Sequence, residues 1–432
     1  MTGSAVRPQQ GRIQTNVLWV GAGIGVYGLS SFAFLIVAGR AMGQSPAYTG
    51  LALMWTLLNA VGIGLYLPVE QETGRSIASR SSLGHPTAPA VVGPVRYAAL
   101  SLLVVAVIAV FGREQITNLM FEGQSGITTV FVLALVGMAL AYLIRGILAG
   151  TGRYPRYGLQ LALDGLLRVC GAGMLALQGN SSPIAYGVVL AVAPIIACGL
   201  AMIRSGPVLS RHSHRTARVP VRLAPLVFAS LASQALANAG PVAVQLLKED
   251  SDGSSAGNLV NALTIARIPL FLFAAVQAVF LPALASNLAV GKRERYRRSL
   301  RTASWLTAAV GAVGVVVTWA VGPQAVRLLF GPTFDIARGD IALLALSAAL
   351  FMNAQVVVQG LLAQSLDLAA TTAWLVGLAS MVAALTVPFA LTTRVSVALV
   401  VGSLGALTTA SLILGNTLAQ WSREAAHDTG RA

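Results

Sequence analysis

The stretch GITTVFVLALVGMALAYLIRGILAGTGRYPRYG, residues 126–158, decides how this chain is read. Residues 126–144 carry no charge, a run long enough at 1.5 Å per residue to cross nearly 30 Å of hydrocarbon. The run then takes up Arg145, breaks into a short segment of glycine, arginine and tyrosine, and resumes as a second apolar run at 157. Two apolar runs of membrane length joined by a basic turn indicate a chain solvated by lipid.

Composition extends this reading to the whole chain. Of 432 residues, 56% are hydrophobic and 10% charged, where an ordinary globular chain has about 25% charged residues. Runs such as PVRYAALSLLVVAVIAVFG recur, and we place twelve spans near 17–39, 46–68, 94–111, 126–149, 157–178, 183–203, 223–247, 257–281, 302–322, 339–363, 368–390 and 395–420. Lipid satisfies no backbone hydrogen bonds, so the spans are helices. The expected class is an all-α integral membrane protein. The apolar run after the polar segment 1–16 is too long for a removable signal peptide and lacks a small-residue cleavage site. Cys170 and Cys198 fall inside spans at no metal-like spacing, so they read as small hydrophobes.

Charge placement sets an expected orientation. Six basic residues, Arg40, Arg113, Lys248, Arg327, Arg338 and Arg394, fall between spans on one side, and Arg168 and Arg267 fall within spans. The rest of the 29 Lys and Arg lie on the other side. The positive-inside rule then predicts N-in and C-in. The net charge of +15 is read as a topology signal facing anionic lipid, with no nucleic-acid partner. Arg145, Arg153 and Arg156 mark the turn after span 4 on the basic side, and Gly146, Gly150 and Gly152 are read as letting the chain reverse there.

RGILA at 145–149 precedes QGLLA at 359–363 by 214 positions, and YLP at 66–68 precedes FLP at 280–282 by the same interval. The shared offset predicts a duplicated six-span unit: a first bundle 17–204, a basic linker 205–222, a second bundle 223–420 and a tail 421–432. An even number of spans keeps its orientation on duplication, so the two halves are expected to face one another across a central cavity.

No catalytic constellation emerges, because the expected outside loops are short and gather no carboxylates or histidines. No cofactor or metal site is expected, although His212 and His214 are candidate weak metal ligands. GAGIGVYG, 21–28, lies inside a span with no preceding strand, so it reads as helix packing through small residues. Ionisable groups in the membrane are costly and become the candidates. Arg267, about 15 Å from the outer end of span 8 and followed by Pro269 in IARIPLFLF, is a candidate phosphate ligand. Asp164 and Arg168, at i and i+4, pair on one helix face, as a structural ion pair or a switchable ion or proton site. Glu70, Glu72 and Arg75 in VEQETGRSIASR are candidate pairing or gating groups. Arg40 ends span 1, where snorkelling also explains it. Asn59, Asn238, Gln245, Asn261, Asn353, Gln355 and Gln359 are candidates to line a hydrated cavity or to bond between helices.

The layout, together with LPVEQETGR after span 2, RGILAGTGRYPRYG after span 4 and LTIARIPLFLFAAVQAVFLPALA through span 8, resembles the oligosaccharide flippase, or polysaccharide transporter, family within the multidrug/oligosaccharidyl-lipid/polysaccharide exporter superfamily. The resemblance implies a bacterial plasma-membrane flippase. It would carry a polyprenyl-diphosphate-linked oligosaccharide from the inner to the outer leaflet for cell-surface polysaccharide biosynthesis. A polysaccharide polymerase or glycosyltransferases would be candidate partners. It also implies substrate contacts for Arg267, Arg40, Asn238, Gln355 and Gln359, and gating or coupling for Glu70, Glu72, Arg75, Asp164 and Arg168. Gly240 stands where members often carry an acid. The alternatives are an ion-coupled exporter of drugs or amphiphiles from the same superfamily and a peptidoglycan-precursor lipid flippase.

Overall fold

The computed structural model describes residues 7–203, 209–210, 223–247, 255–266, 293–332, 334–364 and 366–429. Every regular element among them is a helix. The first half contains α1 (Arg7–Met42), α2 (Pro46–Leu57), α3 (Gly64–Ser82), α4 (Val92–Phe111), α5 (Arg113–Met120), α6 (Ser125–Gly150), α7 (Tyr154–Leu177) and α8 (Pro183–Met202). The second contains α9 (Leu223–Leu247), α10 (Ser255–Ala266), α11 (Arg293–Phe330), α12 (Arg338–Ala363), α13 (Asp367–Ala384) and α14 (Leu391–Thr429).

Among the described residues, 11 helical segments are long and apolar enough to cross a membrane. The twelfth expected span, 257–281, is described only through α10; its remainder, with Arg267 and the FLP repeat, lies outside the described residues, as do most of the linker 205–222 and His212 and His214. Several spans outrun their expected limits. Span 2 continues from α2 through a single π-helical turn, Leu58–Ile63, into α3 and ends at Ser82, so Glu70 and Glu72 lie inside a helix. Pro68 withholds the amide that would bond the Gly64 carbonyl, and the π turn just before it takes up the local distortion of the helix.

Small residues set the packing. A Cβ on Gly23 of α1 would lie 2.5 Å from the Gly158 carbonyl of α7, and one on Gly158 would lie 2.2 Å from the Trp19 carbonyl, so these two backbones touch directly. GAGIGVYG thus acts through packing. Gly146 and Gly150 also belong to a helix interface. Their added Cβ atoms would meet Glu70 and Gly74 carbonyls of α3 at 2.7 and 2.8 Å. This corrects their reading as turn residues; the left-handed residue in that turn is Gly152, φ +73°.

Within the halves, α1 packs on α7, α3 and α8 on α6, and α13 and α12 on α14. Across them, α3 and the π turn meet α9, α2 meets α10, and α1 meets α11. Large apolar side chains such as Leu103, Phe111, Val313 and Trp319 remain exposed on α4 and α11, as a hydrocarbon solvent permits. The molecule is a multi-pass membrane protein.

Candidate functional site

Where the halves meet they line a half-open cavity of about 270 Å³. Trp55 and Asn59 reach it from span 2, Gln234 and Asn238 from α9, and Phe351 and Gln355 from α12. Trp55, Asn59 and Ile63 share one face of span 2 at a spacing of four residues. The Asn59 amide donates to the Trp55 carbonyl at 2.8 Å, and that of Asn238 donates to the Gln234 carbonyl at 2.9 Å. The described lining is uncharged: amides and the hydroxyls of Ser347 and Ser403 offer hydrogen bonds, while Phe32, Trp55 and Phe351 offer faces on which a ring can stack.

Two of the five expected substrate contacts, Asn238 and Gln355, line this cavity. Gln359, half-buried, does not. Neither does Arg40, whose Nε donates to the Leu329 carbonyl at 2.7 Å and whose guanidinium also bonds Leu328; it satisfies the C-terminal carbonyls of α11. Arg267 lies outside the described residues. Gln234, Ser347 and Ser403 were not singled out in the sequence. The signal was there in spacing: Gln234 and Asn238, and likewise Ser347, Phe351 and Gln355, recur every four residues on one face of an apolar helix.

Polar contacts join the halves at one end of their helices. The Gln44 amide donates to Asn258 at 3.1 Å, the Tyr48 hydroxyl bonds Asn261, and Gln245 donates to Glu122 at 2.8 Å. The Tyr48 ring meets Phe334 edge-on at 5.4 Å. Glu122 holds a left-handed backbone, φ +52°, a strained state that persists only where its surroundings hold it.

The first half buries an ionic cluster. Arg145 Nε lies 3.0 Å from Glu70 Oε2, and its guanidinium covers the Tyr142 ring at 3.9 Å. The Tyr157 hydroxyl donates to Glu70 Oε1 at 2.7 Å. Arg145 is therefore a buried partner of Glu70, which corrects its reading as a marker of the turn. Arg156 does sit at that turn, where it donates to the Ala201 and Ile203 carbonyls at 3.1 and 2.8 Å and caps α8. Arg75 grips Glu72 with both nitrogens, at 3.0 and 2.8 Å, and the Ser76 hydroxyl donates to the same carboxylate at 2.8 Å. Arg168 likewise grips Asp164, at 2.8 and 3.2 Å, with Tyr27 of α1 5.0 Å from its guanidinium. The Asp164–Arg168 pair, buried and bonded through two nitrogens, can stay charged out of water, whereas Arg75 is half exposed.

No family model matches the chain. It is 25% identical over 410 residues to uncharacterized proteins of Mycobacterium bovis and Mycobacterium tuberculosis, covering 90% of this chain and 89% of theirs. Among solved structures it is similar to a MATE protein in a bent conformation, with a TM-score of 0.68 at 13% identity over 99% of this chain and 100% of that one. An outward-facing multidrug resistance MATE transporter of the MOP superfamily matches with a TM-score of 0.67 at 13% identity, over 94% and 96% of the two chains. A MOP superfamily transporter from Pyrococcus furiosus, reported with a binding pocket of reverse polarity, matches with a TM-score of 0.67 at 13% identity, over 94% and 95%. The chain thus shares the fold of the MATE transporters of the MOP superfamily.

Proposed function

We propose that this protein is a plasma-membrane flippase, oriented N-in and C-in, that carries a polyprenyl-diphosphate-linked oligosaccharide from the inner to the outer leaflet for cell-surface polysaccharide assembly. The observation that carries this reading is the cavity between the halves, whose described lining is uncharged and sets Asn59, Gln234, Asn238 and Gln355 beside Trp55 and Phe351. Amides match sugar hydroxyls, and aromatic faces match pyranose faces. The headgroup's hydroxyls and charges would be stranded in hydrocarbon, so a polar passage lowers their cost while the polyprenyl tail stays in the bilayer. Arg267 follows directly on α10, whose Val260 and Leu263 line the cavity, and is our candidate for the diphosphate. Opening outward requires breaking the contacts among Gln44, Tyr48, Asn258 and Asn261, in the alternating-access manner. A glycan polymerase or glycosyltransferases would act on the delivered lipid.

The aromatic share of the same cavity favours a second reading, an exporter of drugs or other amphiphiles, with Asp164 as coupling group. One experiment separates the two. In cells depleted of the protein, lipid-linked oligosaccharide should accumulate in the inner leaflet. It should also accumulate in folded Arg267→Ala and Asn238→Ala/Gln355→Ala strains. Absence of accumulation, with altered tolerance to cationic amphiphiles, would overturn the flippase in favour of the exporter.

A further inference from the structure

An open groove of about 890 Å³ lies between α11 and α14, with Val357 of α12 in its lining, near the first turns of α11 and away from the passage between the halves. Arg297, Arg298 and Arg301 line it against a single acid, Glu294, and Ser304 and Ser411 add hydroxyls. Its remaining wall is apolar: Val357, Leu414 and the open flank of Gly415, where an added Cβ would meet nothing within 4 Å. Arg297 crosses the groove to bond the Leu418 carbonyl of α14. The Arg298 and Arg301 side chains are exposed, and among the described residues neither enters an ion pair.

Its depth in the membrane is written on α11. The helix is dense in charge from Arg293 to Arg301 and turns apolar just beyond, with Trp305 and Leu306 exposed. A face that changes from arginine to exposed apolar side chains within one turn lies at the headgroup boundary. Trp421 marks the same level on α14, with the Arg293 guanidinium 4.9 Å from its ring.

We propose that this groove is a binding site for an anionic phospholipid, independent of the transported substrate. The phosphate sits between Arg298 and Arg301, and one acyl chain lies along Val357, Leu414 and Gly415. A basic pocket between helices at headgroup depth matches a negative headgroup. The adjoining apolar wall requires that the ligand carry a chain, which free phosphate lacks.

The test uses full-length protein purified in detergent, with thermal unfolding followed as phosphatidylglycerol, phosphatidylcholine or inorganic phosphate is added. Phosphatidylglycerol should raise the unfolding temperature at low mole fraction, and the other two should not. Replacing both Arg298→Gln and Arg301→Gln should leave the lipid-free unfolding temperature unchanged and raise the phosphatidylglycerol mole fraction for half the effect by roughly 25-fold, about 5-fold per arginine. Gly415→Leu, which fills the groove, should abolish the increment with the arginines intact. Equal protection by phosphatidylcholine would overturn the proposal in favour of general bilayer solvation. Equal protection by inorganic phosphate would overturn it in favour of a free-anion site. An undiminished increment in both variants would show that the lipid binds elsewhere.

Discussion

The two halves answer the same packing problem with different chemistry. In the first, Gly146 brings α6 onto α3 and the adjoining Arg145 pairs with Glu70. In the second, Gly360 takes the place of Gly146 in the repeated motif, and its carbonyl accepts from the Tyr296 hydroxyl of α11 at 2.8 Å. The Gln364 amide donates to that hydroxyl at 2.9 Å. The difference continues in the next helix. α7 buries Asp164 and Arg168, whereas α13 carries no ionisable residue after Asp367. Among the described residues the buried ion pairs lie in the first half, and the second meets the matching motif position with neutral hydrogen bonds.

Truncating a charge should give the largest effect. Arg145→Ala leaves Glu70 buried without its cation and is expected to destabilise the protein by about 3–5 kcal/mol, whereas Gln359→Ala at the equivalent motif position should cost under about 1 kcal/mol. Unfolding of the purified variants measures both, and equal losses would break the contrast. Next come the glycines. Gly146→Ala puts a methyl 2.7 Å from the Glu70 carbonyl oxygen and should cost about 1–3 kcal/mol. Gly360→Ala meets a side-chain hydroxyl at 3.0 Å and should cost less, because a side chain gives way more easily than backbone. Tyr296→Phe removes a hydroxyl from the neutral network and should cost about 1 kcal/mol, with Tyr157→Phe in the ionic half expected to cost more, since its acceptor is charged.

Removing a whole pair should shift stability less than stranding one charge. Asp164→Leu with Arg168→Met exchanges charge for packing and should change stability by no more than about 1–2 kcal/mol. If this double variant folds and still exports its substrate, the pair is structural; if it folds and fails, the charge asymmetry serves transport.

Legibility followed the range of the interaction. The helices were readable because each apolar run is its own evidence, and the Asp164 and Arg168 pair because both partners share one helix face. Arg145 was misread because its partner lies 75 positions earlier, and a basic residue at the end of an apolar run looks the same from the sequence whether it faces water or a buried carboxylate. Gln234, Ser347 and Ser403 were missed because a polar residue in a span can face lipid, a neighbour or a cavity. Only the rotation of each helix distinguishes these.

By itself the sequence determined that the chain is lipid-solvated, helical and built of long spans, since hydrocarbon leaves a backbone no other way to satisfy its hydrogen bonds. Tertiary structure alone decided which polar groups meet. A helix turns a new side chain outward every 100° or so, and which face looks inward depends on contacts such as Gly23 on Gly158 and Gly146 on Glu70, made between residues far apart in the chain.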